Sequence, residues 1–335
     1  MSPRTFTWQS DDQEHTATLD GGSLRWATVT DAYDDDQPYT GATEQEQPVP
    51  DFLAGGPVEP APIHVLEQIL AALGARAPWL EPLRLQQVAA AGDLAAIQVL
   101  LRGPPVANLV VRGRTALSAA IEAEQIEAAT ALLAGQPGGR CDPNVRLAAG
   151  ATALHVAAHG AKTAAWVGLL RALLAAGANL EAREAEGQTP LLHGLRGHLC
   201  KEGVETLVGG QPPGRNAVNL PAKDGSTPLL AEARGWCRPS VVRALLGAGA
   251  DVNARSKDGW SALLWAITKH DVWFVKMLID AGADVKVVGQ PHKQGQSART
   301  ALELARSYTA VAATPKDRAL PLAKQIVDLL LAAGA

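Results

Sequence analysis

The sequence predicts an all-α repeat solenoid, an array of helix-turn-helix units joined by β-hairpin loops, with a small β-containing extension in front. Two patterns carry that reading. Six times a hydroxyl residue is followed by a small residue and a leucine: Thr115-Ala116-Leu117, Thr152-Ala153-Leu154, Thr189-Pro190-Leu191, Thr227-Pro228-Leu229, Ser261-Ala262-Leu263 and Thr300-Ala301-Leu302. These starts lie 37, 37, 38, 34 and 39 residues apart, the self-similarity of a stacked array rather than of one closed core. Between them recurs a leucine pair followed by a glycine, as in Leu173-Leu174 with Gly177, Leu245-Leu246 with Gly249 and Leu278-Ile279 with Gly282. Glycine can take the left-handed conformation that closes a helix without a Cβ clash.

In chain order, Thr5 to Trp8, His15 to Leu19 and Leu24 to Thr30 favour strands, and Asp20-Gly21-Gly22-Ser23 reads as a turn. Residues 1–30 are therefore expected to form a short β-hairpin or meander. Two strands alone are marginal in water, so Trp8 and Trp26 are expected to fasten this piece to the rest. Residues 31–62 contain six prolines among Asp, Glu, Gln and Gly and are read as an acidic Pro-rich connector, neither helix nor sheet. Pro62 opens a helix over Ile63 to Leu73, and 63–81 is taken as that helix and a linker.

The solenoid is assigned to 82–335, about six units with capping ends. Its first hairpin spans Leu83 to Leu101, with Asp93 placed to cap the second helix. Such thin hairpins cannot bury both faces alone and depend on their neighbours. Lys316, Asp317, Arg318 and Lys324 make the last unit more polar, as an end cap should be. Extra residues near His159 to Ala165 are expected in a loop between the two helices of one unit. The segment Gly135 to Arg140 is matched by Gly210 to Arg215, so alternate hairpin loops are expected to be longer, with Arg140 and Arg215 at related places.

These residues resemble the ankyrin repeat, whose unit is about 33 residues. The similarity lies in Thr152 to Ala158, in Asp258 to Leu263 and in Gly249-Ala250-Asp251-Val252-Asn253-Ala254. His155 alone stands where the family has its histidine, so the polar bond that residue makes to the neighbouring turn must be missing or replaced in the other units. The resemblance implies partner contact through hairpin tips and the concave side of the first helices. It implicates Arg112, Arg114, Glu122, His159, Glu186, Gln188, His193, Arg196, Lys223, Ser226, Arg234, Lys257, Trp260, Trp265, Thr268 and Lys269. Trp260 and Trp265 weigh most, because tryptophan is enriched where binding energy concentrates; the alternative is that one or both pack on the next unit. Trp273 falls on a second helix, on the core or convex side.

Composition supports an array: 47 % hydrophobic residues with only 4 % aromatic suit thin hairpins packed on small side chains. Residues 1–60 hold two basic residues against twelve acidic, a charge of −10, which leaves +6 on the remainder for the total of −4. That asymmetry reads as a solvated acidic face or as an end that attracts a basic partner. No secretory signal and no membrane-spanning run is present, so a cytoplasmic location is expected, with no membrane association. Cys141, Cys200 and Cys237 form no CxxC pair and read as reduced thiols.

Catalytic patterns are lacking. There is no GxxxxGK[ST] loop, no GxGxxG after a strand and no GxSxG elbow. His155 and His159 stand four apart without the glutamate of an HExxH motif, and His193 and His198 have no partner at ligand spacing. The expectation is a non-enzymatic protein-binding module with no cofactor, no metal and no nucleic acid, monomeric when free. An Ala-, Gly-, Pro- and Arg-rich composition points to a high-GC bacterial source. The preferred function is an immunity protein that neutralises a toxin encoded by an adjacent gene. A regulatory or scaffolding adaptor, including a host-directed effector, is the alternative.

Overall fold

The computed structural model describes residues 3–10, 13–20, 23–34, 37–48, 62–73, 79–102, 107–134, 141–209, 217–289, 299–311 and 319–335. Strands β1 (Arg4–Ser10), β2 (Gln13–Asp20), β3 (Ser23–Asp34) and β4 (Gln37–Pro48) form an antiparallel meander in sequence order. Side chains alternate between faces along a strand, and Trp8, His15, Ala17, Leu24, Trp26 and Gln47 are buried. The Trp8 ring stacks on His15 at 5.2 Å between centroids and meets Trp26 edge-on at 6.1 Å. Nε1 of Trp26 donates to Oε1 of Gln47 at 3.3 Å, which satisfies the only polar group of a buried indole.

The sheet is longer than the composition suggests. Residues 31–34 continue β3, and 37–48, expected to be connector, form β4. Pro38 lies near the start of β4 and Pro48 at its end, and β4 is an edge strand, where one side of the backbone has no ladder to lose. Counting prolines without their position hid this strand. The rest of the expected connector, residues 49–61, lies outside the described residues.

Helix α1 (Ile63–Leu73) buries Val65, Leu66, Ile69 and Leu70. Together with Trp8, Leu24 and Trp26 they share one apolar cluster with Trp79, Leu83 and Val111 of the array. The sheet and α1 thus cover the first face of the solenoid.

Seven helix pairs follow among the described residues: α2 (Leu80–Ala91) with α3 (Leu94–Leu100), α4 (Ala116–Glu122) with α5 (Ile126–Ala134), α6 (Ala153–Gly160) with α7 (Ala164–Ala175), α8 (Pro190–Arg196) with α9 (Lys201–Gly209), α10 (Pro228–Arg234) with α11 (Pro239–Gly247), α12 (Ala262–Thr268) with α13 (Val272–Asp280), and α14 (Ala301–Val311) with α15 (Ala319–Ala332). First helices contact first helices along the whole series. The apolar interior runs through the units in two clusters that meet around α10 and α11, one from Leu85 to Leu245 and one from Leu229 to Leu330.

The recurring hydroxyl is an N-cap. Thr115, Thr189, Thr227 and Ser261 accept from the backbone N–H three residues on, at 3.2, 3.4, 3.4 and 3.4 Å. The leucine two places later is buried in each of these units. The stop glycines Gly177, Gly249 and Gly282 have φ of 90°, 84° and 88°, the left-handed region a Cβ disfavours.

The insertion near His159 to Ala165 is not a loop. The extra residues lengthen the helices, α6 to 8 residues and α7 to 12, against 9 in α9, α11 and α13. Trp166, Val167, Leu169, Leu170 and Leu173 continue one buried stripe, which favours helix over loop here. The indole of Trp166 lies against Gly160, where an added Cβ would come within 2.6 Å of the ring. The segments with Arg140 and Arg215 lie outside the described residues.

Neighbouring units are tied by asparagine bridges. Asn144 accepts from the Asn179 N–H at 2.8 Å and donates to the Gly177 carbonyl at 2.9 Å. Asn219 does the same to Asp251 and Gly249 at 2.7 and 2.9 Å, and Asn253 to Asp284 and Gly282 at 2.8 and 3.2 Å. All three cysteines are free thiols. Burial pushes Cys141 up to about 12 and raises Cys237, so both stay protonated near neutrality.

Candidate functional site

The loops that lead into the first helices turn at their tips, and backbone hydrogen bonds link one tip to the next. The Ala148 N–H donates to the Gly113 carbonyl at 3.1 Å, Ala185 to Ala149 at 2.7 Å, Lys223 to Glu186 at 3.1 Å and Lys257 to Asp224 at 3.0 Å. Gly225, at φ 80°, permits the last of these approaches, because a Cβ there would stand 2.7 Å from the Lys257 nitrogen. These bonds fix the spacing of the side chains on the tips. Tips and first helices together form one face, and the sequence-derived contact residues fall on it unequally.

Arg112, His159, Glu186, Arg196, Lys223, Arg234, Lys257 and Lys269 are exposed. Arg114 and Glu122 are also on the surface but pair with each other at 2.9 Å. Nζ of Lys269 donates to the Gly235 carbonyl and contacts Sγ of Cys237 at 3.6 Å. His193, Ser226, Trp265 and Thr268 are half-buried, and Gln188 is buried. Trp260 needs correcting: it is 5 % exposed and belongs to the core cluster with Leu229, Leu263 and Phe274. Its ring lies 4.8 Å from that of Trp265, so the two indoles pack against each other.

Between α8 and α10 lies an open groove of about 370 Å³, lined by Gln188, Leu192, Arg196, Ser226, Ala231 and Arg234. The Arg234 guanidinium rests 5.9 Å over the Trp265 ring, a cation–π contact that keeps a long side chain extended across the face. Asp224 stands at the adjoining tip. Its partial burial would raise the carboxyl, but hydrogen bonds from Ser226 and the charges of Arg196 and Arg234 outweigh that and hold it below the usual range.

A histidine cluster sits on α6 and α8. Nδ1 of His155 faces the Thr152 hydroxyl at 2.9 Å, and Nε2 faces the Gln188 carbonyl at 3.1 Å, so the ring joins its own turn to the next. Gln86 does the equivalent work in the first pair, donating to the Arg114 carbonyl at 2.7 Å. Ser118 bonds only its own turn, and Leu192, Leu230 and Leu264 have no group to offer. His193 lies 5.8 Å from His155 and 5.1 Å from His159, ring to ring. Burial lowers His155 from 6.5 to about 4, and burial with the neighbouring His159 lowers His193.

The unfolded chain takes up a proton that folded His155 refuses, so stability is unaffected above pH 6.5 and falls as pH drops toward about 4. The full loss is about 3 kcal/mol. Urea unfolding followed from neutral to acidic pH should show it, and His155→Gln, which keeps a donor as Gln86 does, should remove most of that slope.

Family models for ankyrin repeats match residues 149–185 as one repeat and 196–288 as three copies. The helical array is built of ankyrin repeats. It resembles the ankyrin repeat domain of Bcl-3, described as a unique member of the IkappaB protein family, at 25 % identity and a TM-score of 0.57 over 74 % of this chain and 97 % of that one. It is also similar to the human ASB11 ankyrin repeat domain, at 26 % identity and a TM-score of 0.53, covering 78 % and 99 %. Among curated proteins, neurogenic locus notch homolog protein 1 of Xenopus tropicalis is 34 % identical over 40 % of this chain, which spans only 5 % of that protein. An ankyrin repeat-containing protein of Treponema pallidum is 28 % identical over 35 % of this chain and 38 % of its own length. An ankyrin array is a module for protein–protein interaction.

One aromatic on the ankyrin array escaped the sequence reading. Trp236 is 70 % exposed in the turn between α10 and α11 and lies 4.9 Å from the His198 ring in the turn before it. Its place directly after Gly235, at the end of a first helix, was the available signal. Trp273 is 39 % exposed, with Arg243 5.7 Å over its ring. Among the described residues no group of three or more His, Cys, Asp or Glu is placed to hold a metal, and no helix is long and apolar enough to cross a membrane.

Proposed function

We propose that the first-helix face binds a protein partner and that this partner is a toxin, which the chain neutralises in the cytoplasm by occupying its surface. The observation that carries the binding reading is the row of exposed side chains on this face, Lys223 and Lys257 on tips joined by backbone bonds and Arg196 and Arg234 at the ends of α8 and α10. A surface ordered before the partner arrives loses little entropy on binding, which favours tight association. The toxin reading draws its support from the acidic first sixty residues, two basic against twelve acidic, at the end of a rigid array. Opposite charge raises association rates more than final affinity, and an inhibitor must act before its target does.

Expression of the adjacent gene alone is expected to stop growth, and co-expression of this chain to restore it. Neutralising Asp34, Asp35 and Asp36, the last two outside the described residues, should slow association at low salt. If the neighbouring gene is harmless, the toxin reading falls and the adaptor reading takes its place. Trp265→Ala is expected to weaken binding by about 2 kcal/mol, because the half-buried ring is the platform over which Arg234 is held on this face. Affinity unchanged by that variant would place the contact elsewhere.

A further inference from the structure

Among the described residues, the groove between α8 and α10 is lined by two guanidinium groups that make no ion pair and by a glutamine whose buried oxygen has no partner. Arg196 and Arg234 are exposed, and neither guanidinium makes an ion pair within 4.0 Å or a hydrogen bond among the described residues. Gln188, 5 % exposed, lines the same groove, and its Oε1 is buried with no hydrogen-bond partner. A buried acceptor left unmade is costly, and native folds keep few of them.

The nearby carboxylates do not fill the role. Asp224 spends its oxygens on the Ser226 N–H and hydroxyl at 2.9 and 2.8 Å, and Glu184 on the N–H groups of Glu186 and Gln188 at 2.9 and 3.1 Å. Each acid shapes its own tip, and the two cations remain available. Trp265, under Arg234, supplies a flat apolar wall on one side.

We infer that this groove is a specificity subsite for an extended peptide segment of the partner, with an Asp or Glu side chain between Arg196 and Arg234. The inference rests on the reading that the partner docks on the first-helix face. Guanidinium suits this task, because its fork of donors matches the two oxygens of a carboxylate, and such charge-assisted bonds are roughly twice as strong as neutral ones. A partner matched to this groove presents an acidic stretch there even if the rest of its surface is basic.

The test is a selection of random displayed peptides on the immobilised full-length chain, with the affinities of synthesised winners measured by fluorescence anisotropy. Winners should share an Asp or Glu whose change to Asn or Gln costs about tenfold or more. The Arg196→Gln, Arg234→Gln double variant should lose a similar factor. Winners that ignore the arginine changes but lose affinity on Trp265→Ala or Lys257→Gln would overturn the acidic subsite and leave the docking face standing. Winners insensitive to all of these would overturn both, and a selection that enriches no acidic residue would overturn the subsite.

Discussion

Trp260→Ala is expected to lower the stability of the array by about 3–5 kcal/mol, as large-to-small changes of buried aromatics do. The indole is 5 % exposed and belongs to the apolar cluster that α10, α12 and α13 share, so its removal opens a cavity in a core common to neighbouring units. Urea unfolding of the full chain should show a lowered midpoint, accompanied by loosening of the segment after Ser261 in hydrogen exchange. Unchanged stability with a large loss of partner affinity would instead put the ring at the interface.

The second large effect concerns an ion pair. Glu232 is 2 % exposed, and its carboxylate accepts from the backbone N–H of Arg238 at 3.2 Å, from Nε at 3.3 Å and from Nη2. Nη1 of Arg238 donates to the Leu199 carbonyl at 2.7 Å, which ties this unit to the one before it. Arg238→Ala leaves a carboxylate buried without its counter-charge and is expected to cost about 3–5 kcal/mol. Replacing both partners by methionine should recover much of that loss, because the desolvation of both charges disappears with them. A double variant as unstable as the single would show that the geometry of the turn, rather than charge, is what Arg238 maintains.

The period, the capping hydroxyls and the glycine stops were readable in the chain because each is local: a cap is satisfied three residues away. The strand β4 was not, because its ladder to β3 depends on register rather than composition. The long α7 was missed for a related reason, since a length anomaly shows that residues are extra but not which element absorbs them. The site was partly readable. The exposed arginines and lysines of the tips follow from the repeat register, but Trp260 and Trp265, five residues apart, differ in burial because of contacts supplied by other units. Gln188 drew notice for its position alone; that its oxygen would be buried without a partner depends on the fold around it.

The asparagine bridges have a mechanical consequence. Asn144, Asn219 and Asn253 each clasp the closing turn of the following unit, so the load borne by any one junction is a few hydrogen bonds and one apolar seam. Stretched between its termini, a chain joined in this way should yield in a sawtooth, one unit at a time. Each tooth would release about 120 Å of contour for a spacing of 37 residues. Because the sheet and α1 share their own cluster with the first helix pair, the earliest teeth should come from the opposite end, where α15 closes the stack.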